Sequence, residues 1–327
     1  MLRIAPIALL AALLGVSAGP AAAQNWPTHP VTVIVPFSAG GPIDTVARIM
    51  SPGLSQQLGQ PIIIENVGGA GGMTGDARLA HADPDGYTFG FGNQATHIFS
   101  QFIYRKPLYD PFKDFASIGL VVSNSKVLVV RKDLPVNNLQ EFVAYARKNQ
   151  DKMQYGSAGG GSATQIACVL LNDKIGAPNV IHVPYRGTNL AMQDLIAGRI
   201  DYLCDITSTS QSQIQAGRIK AIAVLAKDRS PGLPNVPTAL EQGVKDVDAD
   251  GWNAFFAPLH TPEPILRKIG AATDKVLDDP AIVKRMLGLG LVVPPKNERS
   301  PEFLTQLVKD EMVKWTPVMK AAGISAK

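Results

Sequence analysis

Residues 31–48 read VTVIVPFSAGGPIDTVAR, and this stretch decides the fold. It contains an apolar strand at Val31–Val35, a turn of small residues at Pro36–Gly41 and a helix that begins near Ile43. The first N–H groups of a helix have no acceptor within the helix, so they point out of its N-terminus together with the positive end of the helix dipole. Because the two glycines leave the backbone open to close approach, the stretch predicts an anion-binding site.

The chain repeats this order of strand, glycine turn and helix further along. Strand Met153–Ser157 runs into YGSAGGGSATQ, residues 155–165, and a helix over Ala163–Leu171 follows. One such loop alone is most often only a tight connection between a strand and a helix. Ligands of open α/β sheets bind outside the carboxyl ends of the strands, so two matched loops on facing lobes predict one anion held between two helix N-termini.

Strands and helices alternate along most of the chain. This alternation predicts an α/β fold in which mostly parallel sheets are covered by helices on both faces. Without residues 1–23, which the next paragraph describes, the chain has about 300 residues. This length exceeds what one hydrophobic core organises, so two lobes are predicted. The expected lobes are residues 24–124 with 251–327 and residues 125–250, and the expected hinges lie near Val122–Lys126 and Asp250–Asn253.

Residues 1–23 have the composition of a secretory signal peptide. Arg3 precedes an apolar run at Ile7–Val16, and the small residues Ala21-Ala22-Ala23 form a cleavage pattern. Loss of this leader, whose one charged residue is Arg3, takes the formal charge from +4 to +3, which is too small and too dispersed for a nucleic-acid-binding surface. The mature chain is therefore expected outside the cytoplasm.

The two cysteines, Cys168 and Cys204, fall on a predicted helix and a predicted strand. In an oxidising compartment they can form a disulfide, but these positions suit two buried apolar thiols equally well. The sequence leaves both alternatives open.

Several polar residues follow predicted strands and are candidates for contacts with the distal part of a ligand. Asn93, Thr96 and His97 follow the strand at Thr88–Gly92, on the same sheet edge as the first loop, although a lone histidine is more often solvated or capping. Asp205 ends another strand. It either accepts a hydrogen bond from a ligand or a bridging water, or it caps the helix that follows.

Two charged residues near the predicted loops allow two interpretations each. Asp44 lies near the start of the first helix, where capping the first turn is the ordinary role and orienting the loop or a bound water is the alternative. Arg186 follows a strand and can pair with a second ligand carboxylate, yet a solvated surface arginine is the ordinary outcome.

Enzyme motifs are missing from the sequence. G-x-S-x-G, G-x-G-x-x-G and G-x-x-x-x-G-K do not occur, and residues 36–40 read PFSAG. The five histidines form no H-x-x-x-H pattern, and the two cysteines lack the spacing of metal ligands. The sequence therefore predicts no catalytic residue, no metal site and no cofactor.

Short motifs along nearly the whole mature chain carry a family resemblance. In order they are WPxxPVTVIVPFxAGGxxDxxAR, GQPIIIEN, GAGG, AxPDGYT, YDPxxDF, YGSAGxGSAT, HVPYRG, DLIAGxID, LPNVPT and KAAGI. With these motifs the chain resembles the Bug-type substrate-binding proteins of tripartite tricarboxylate transporters. The resemblance implies a periplasmic protein with a two-lobe, type II-like "Venus flytrap" fold, in which two hinge strands join the lobes.

The resemblance also implies a ligand class and a binding mode. Members bind small, mostly carboxylated solutes, including dicarboxylates, aromatic acids and some amino acids or amides, and their two glycine loops hold a carboxylate partly through ordered waters. Two departures bear on the identity of the ligand: Gln165 replaces the usual histidine, and Ile206 replaces the usual asparagine after Asp205. The full set of expected ligand-binding residues is Phe37, Ala39, Gly40, Gly41, Asp44, Asn93, Thr96, His97, Ser157, Gly160, Gly161, Ser162, Ala163, Thr164 and Asp205.

The expected function is that of a monomeric receptor that closes on an organic acid and delivers it to the membrane permease of such a transporter. A receptor of the same fold that presents its ligand to a membrane sensor kinase is the alternative. A secreted hydrolase is a third hypothesis, which the missing motifs disfavour. No nucleic-acid partner is expected.

Overall fold

The computed structural model describes residues 26–321, so the predicted signal peptide at residues 1–23 lies outside the described residues. Within that range the strands are β1 (Val31–Val35), β2 (Ile62–Asn66), β3 (Thr88–Asn93), β4 (Phe115–Asn124), β5 (Lys126–Arg131), β6 (Gln154–Ser157), β7 (Ile181–Pro184), β8 (Tyr202–Ile206), β9 (Ile219–Val224), β10 (Gly251–Pro258) and β11 (Leu291–Val292). The α-helices are α1 (Pro42–Leu58), α2 (Met73–Ala80), α3 (Ser100–Ile103), α4 (Leu139–Asn149), α5 (Ala163–Lys174), α6 (Thr188–Ile196), α7 (Thr207–Gln215), α8 (Glu263–Leu277), α9 (Pro280–Gly288) and α10 (Pro301–Ala321). None of these helices is long and apolar enough to cross a membrane.

The strands form two sheets. Their strand orders correspond when the first sheet is read from β2 and the second from β7, and β11 is an additional edge strand of the first. The first sheet runs β11-β4-β10-β3-β1-β2 and the second runs β7-β6-β8-β5-β9. β1 pairs in parallel with β2 and β3, and β6 pairs in parallel with β7 and β8. The antiparallel strand β10 lies inside the parallel set of the first sheet, and β5 lies inside that of the second. The short strand β11 is also antiparallel and lies at the edge of the first sheet, next to β4. The structure thus confirms the predicted α/β fold with two mostly parallel sheets.

Strand β1 is buried on both of its faces, as a parallel strand covered by helices must be. Successive side chains of a strand point to opposite faces. Val33 and Val35 pack in a core that includes residues of α1 and α8, whereas Ile34 packs in a separate core with Leu79 and Phe256. Because β1 packs against a core on each face, the position of the loop that follows it is fixed.

The chain passes between the two sheets twice. Only Ser125 separates β4 in the first sheet from β5 in the second, and residues 225–250 lead back from β9 to β10. The buried Lys126 donates from its ammonium group to the carbonyl oxygen of Ala249, so one side chain joins both crossings. Burial lowers the pKa of Lys126 to about 8. The exact lobe boundaries at residues 124/125 and 250/251 remain a prediction.

A disulfide joins Cys168 of α5 to Cys204 of β8, with their Cα atoms 5.4 Å apart. Both residues are fully buried in the core of the second sheet. Of the two alternatives that the sequence left open, the structure therefore shows the bonded one. The bond links two elements whose ends contribute to the site described below.

Candidate ligand-binding site

The first glycine loop connects β1 to the N-terminus of α1. Pro42 occupies the first turn of α1, where its missing N–H removes no intrahelical bond. Gly41 precedes it in an extended conformation and supplies no side-chain cap. The backbone N–H groups in the first turn of α1 therefore receive no hydrogen bond acceptor from a capping side chain at Gly41.

The carboxylate of Asp44, in the first turn of α1, binds the backbone of the first loop. Its Oδ2 accepts hydrogen bonds from Gly40 N and from Arg48 Nε, both at 2.8 Å. Burial tends to raise the pKa of Asp44, but the bonds from Arg48 and Gly40 outweigh it and the pKa is lowered. Gly40 has φ +77°, a left-handed conformation that favours glycine, so the ionised carboxylate keeps the backbone in this shape.

The second glycine loop connects β6 to the N-terminus of α5 in a similar way. Ser162 caps the helix by accepting from Gln165 N at 3.2 Å, and Gln165 Oε1 accepts from Gly161 N at 2.6 Å. Thr164 Oγ1 accepts from Ala158 N at 3.0 Å. Gln165, which stands where the family usually has histidine, thus fixes the shape of the loop.

Two further helix N-termini reach the same region, and sequence reasoning missed both. Gly187 precedes α6 and Ile206 precedes α7, and neither residue supplies a side-chain cap. Strands β7 and β8 lead into these helices just as β1 and β6 lead into α1 and α5. The glycine of the motif Y-R-G-T was a signal for α6, whereas no glycine marks α7.

Helix α7 begins at Thr207, directly after strand β8. Serine and threonine disfavour helices when their hydroxyls compete for the backbone. Here the hydroxyls of Thr209 and Ser210 donate to Asp205 Oδ2, so the run T-S-T-S is helical from its first residue.

A partly open cavity lies between the two sheets, where these four helices begin, and the space between its atoms, with the solvent at its mouth included, is about 370 Å³. Its lining consists of Phe37, Gly41, Pro42, Ile43, Asn93, Ala158, Ser162, Ala163, Thr164, Gly187, Thr188 and Ile206. Every lining residue is uncharged. An anion in this cavity would therefore meet helix N-termini, hydroxyls and one amide, without a lysine or arginine.

Six of the predicted ligand-binding residues line this cavity: Phe37, Gly41, Asn93, Ser162, Ala163 and Thr164. The other predicted residues lie outside the lining: Ala39, Gly40, Asp44, Thr96, His97, Ser157, Gly160, Gly161 and Asp205. For several residues of the second group the structure shows hydrogen bonds or packing within the protein, and their contact with a ligand stays a prediction.

Thr96 and His97 lie behind Asn93 in the core of the first sheet. Thr96 N donates to Asn93 Oδ1, and Asn93 N donates to Thr96 Oγ1, each at 3.1 Å. The bond to Thr96 N fixes which side of the Asn93 amide is the oxygen, and the NH₂ group on the other side, which has no partner within residues 26–321, can serve as a donor. His97 is fully buried, with its ring stacked on Phe256, and burial lowers its pKa to about 3. His97 is therefore a neutral core histidine.

Ser157 forms a pair with His182 that resembles part of a hydrolase triad. Ser157 Oγ lies 2.7 Å from His182 Nε2, and Gln165 Nε2 lies 3.3 Å from His182 Nδ1. Ser157 is fully buried, however, and its hydroxyl also bonds to the backbone of Gly159. The oxygen cannot reach a substrate in this position, so the pair acts as support for the second loop.

Direct contacts join the two halves of the site across the cavity. Ser38 Oγ donates to Asn189 Oδ1 at 2.7 Å, and Asn189 Nδ2 donates to Ala39 O at 3.0 Å. On the other side a Cβ atom at Gly71 would lie 2.3 Å from Gly160 O, so the G-A-G-G loop needs glycine for this close approach. The described conformation is therefore a closed one.

Asn189→Ala is expected to weaken binding of every ligand by roughly tenfold, because two hydrogen bonds that exist only in the closed form are lost. The lining of the cavity is unchanged, so the factor should be the same for chemically different ligands. Isothermal titration with several ligands measures it, and Asn179→Ala, at an exposed position of the same half, is the control. A loss that is confined to one ligand would show instead that Asn189 contacts that ligand.

Comparison with known proteins identifies the family. The family model described as "Tripartite tricarboxylate transporter family receptor", TctC, matches residues 46–324. The structure is similar to that of the periplasmic binding protein BugD, with a TM-score of 0.89 and 37% identity over 92% of this chain and 100% of that one.

Two solved structures with bound acids are also similar to this chain. MatC from Rhodopseudomonas palustris with bound malate has 39% identity and a TM-score of 0.86 over 90% of this chain and 99% of that one. The R. palustris protein Rpa4515 with adipate has 30% identity and a TM-score of 0.88 over 93% of this chain and 100% of that one. The resemblance found in the sequence is thereby confirmed, and the chain belongs to the tripartite tricarboxylate transporter receptor (TctC) family of Bug-type binding proteins.

Proposed function

We propose that this chain is a periplasmic receptor that binds a small carboxylate between its two lobes and delivers it to a membrane permease. The observation that carries the proposal is the convergence of the N-termini of α1, α5, α6 and α7 on one cavity with an uncharged lining. Each helix N-terminus offers N–H donors and a partial positive charge.

The free energy available at this site is sufficient for binding. A hydrogen bond from an N–H group to a charged oxygen contributes roughly 1.5–3 kcal/mol. Three or four such bonds, after the cost of association, support a micromolar Kd, which corresponds to about −8 kcal/mol. An added lysine or arginine is not required for an anion at this site.

The relatives support the ligand class and the location. MatC and Rpa4515 were solved with malate and adipate, which are both dicarboxylates. BugD is described as periplasmic, and the predicted signal peptide at residues 1–23 agrees with that location. The family name supports delivery to a transporter, and presentation to a sensor kinase remains the alternative.

We assign direct ligand contacts to the two loops and to Asn93. The backbone of Gly41 and the N-terminus of α5 at Ser162–Thr164 hold the carboxylate, and the Asn93 amide donates to the rest of the ligand. Asp44 and Gln165 fix the loops. Closure brings the first predicted lobe against the second by rotation at the two crossings between the sheets.

The buried position of Ser157 disfavours the hydrolase hypothesis. A nucleophile must reach the carbonyl carbon of its substrate, and this hydroxyl is enclosed by the second loop. We therefore propose a binding protein without catalytic activity, and release of product from ester and amide substrates would contradict it.

A thermal-shift screen of acids against their own primary amides tests the proposal. We expect acids to raise the melting temperature and the matched amides, such as succinamide beside succinate, to leave it unchanged. A ligand at a hundred times its Kd stabilises the folded state by about 2.7 kcal/mol. A panel in which amides or sugars stabilise the protein and no acid does would overturn the proposal.

A further inference from the structure

One cationic side chain is buried where the two lobes join, outside the lining of the ligand cavity. Lys126 is the first residue of β5, directly after the first crossing between the sheets, and it is 2% exposed. No other lysine or arginine of residues 26–321 is buried. Because a buried charge is costly unless it is paired and hydrogen-bonded, the surroundings of this ammonium group decide its effect.

The protein compensates the charge of Lys126 only in part. The ammonium group donates one hydrogen bond, to Ala249 O, although it carries three N–H donors. It forms no salt bridge with any carboxylate of residues 26–321. The group is therefore less well solvated here than it would be in water.

Three acidic residues act on this ammonium group from a distance. Asp248 and Asp250 lie in the second crossing, and Glu311 lies in α10. Burial lowers the pKa of Lys126, the charges of these three residues raise it, and burial prevails, so that the pKa falls to about 8. The surroundings thus disfavour the charged form relative to water, even with three carboxylates nearby.

Side chains of both lobes cover the ammonium group. A small cavity beside Lys126 is lined by Phe99 and Trp315 of the first lobe and by Ile166 and Leu170 of α5 in the second lobe. The same four residues pack in one apolar core, and the lining contributes no titratable group except Lys126 itself. This cover exists because the lobes meet, so rotation at the crossings separates it and admits water.

Closure of the lobes therefore carries an electrostatic cost that a bound ligand must offset. The ammonium group is hydrated in the open form and loses this hydration when the lobes meet. The apparent affinity for a ligand falls with the fraction of protein in the closed, binding-competent form. An uncharged amine is buried at lower cost, so closure becomes easier once the lysine has lost its proton.

We propose that Lys126 is a positioning residue that acts through lobe closure: burial of its ammonium group holds the unliganded receptor open and makes the affinity for the ligand rise with pH. The inference rests on the proposed carboxylate function and adds a control of closure to it. Below pH 8 the amine is protonated in both forms and the cost is constant. Above pH 8 the closed form loses its proton first, because an exposed lysine titrates near pH 10.4, and closure gains accordingly.

Isothermal titration of the wild type at pH 7 and pH 9 measures this linkage. The probes are malate and adipate, the acids that MatC and Rpa4515 were solved with. We expect roughly three- to tenfold tighter binding at pH 9. The ligand carboxylates are ionised at both pH values. Asp250 is ionised as well, since burial raises its pKa only to about 6.

Lys126→Gln assigns the effect to this side chain, because glutamine keeps an N–H donor and carries no titratable charge. We expect the variant to bind the acid roughly threefold or more tightly than the wild type at pH 7, with a change of less than about twofold between pH 7 and pH 9. Lys220→Gln is the matched control. The ammonium group of Lys220 also donates to a carbonyl oxygen, that of Leu134, but both residues lie within the second lobe. We expect this variant to behave as the wild type at both pH values.

Small-angle X-ray scattering follows closure without a ligand. We expect the ligand-free wild type to have a smaller radius of gyration at pH 9 than at pH 7, and Lys126→Gln to be equally compact at both. Acid binding of equal strength at both pH values in the wild type, or an unchanged pH dependence in Lys126→Gln, overturns the inference and leaves a carboxylate receptor. Absence of binding by any acid instead refutes the proposed function, and the radius of gyration then decides whether Lys126 controls closure.

Discussion

Gly41→Asp is expected to abolish binding of acids, with a loss of at least a hundredfold, while the fold is retained. The added carboxylate would accept the N–H groups at the start of α1 and would repel a ligand carboxylate, a juxtaposition that costs several kcal/mol. The backbone conformation suits any residue, because Gly41 has φ −79°. A Cβ there would lie 3.8 Å from Asn189 Oδ1 and 3.1 Å from Ser38 O, so the Ser38 carbonyl must shift slightly to admit it.

Two measurements on matched variants separate charge from bulk. Gly41→Ala adds the same Cβ without the carboxylate, so its affinity for the acid should stay within a few fold of wild type. Urea unfolding should give Gly41→Asp a stability equal to or above that of the wild type, since aspartate is a favourable N-cap. Wild-type affinity in Gly41→Asp would exclude the first loop from the site.

Replacement of both cysteines by alanine is expected to lower the free energy of unfolding by roughly 2–4 kcal/mol. The disulfide closes a loop between positions 36 residues apart, and this constraint on the unfolded chain disappears in the variant. Cys168 and Cys204 are fully buried, so the lost side-chain packing adds to the effect. Equilibrium urea denaturation measures the difference.

Reduced wild-type protein is the control for the disulfide. Unfolded and refolded in the presence of a reductant, it keeps both side chains and lacks only the bond. We expect its stability to fall most of the way to that of the double variant. A double variant whose free energy of unfolding lies within about 0.5 kcal/mol of the oxidised wild type would show that the bond contributes little.

The sequence predicted the fold and much of the site because the relevant signals are local. Apolar runs such as Val31–Val35, a proline at the start of α1 and small residues between strand and helix are readable over a few positions. They located both glycine loops and the start of α5 at Ala163, which the structure confirms.

Other features depend on which distant segments meet, and there the sequence was insufficient. His97 follows a strand end like a ligand contact, yet the π-helical turn at Ala95–Phe99 rotates it into the core against Phe256. This position of His97 does not follow from the neighbouring residues alone. Asp44 is different, because its partners Gly40 and Arg48 are each four residues away, and its bonds to them match the loop-orienting role that the sequence had left open.

The opening stretch by itself determined a strand, a glycine turn and a helix start, and it predicted an anion site there, because unpaired N–H groups at a helix N-terminus follow from local backbone geometry. The tertiary structure decided that α6 and α7 share this site with α1 and α5, and that Cys168 bonds to Cys204. Strand order and lobe closure set these contacts, and they join residues far apart in the chain.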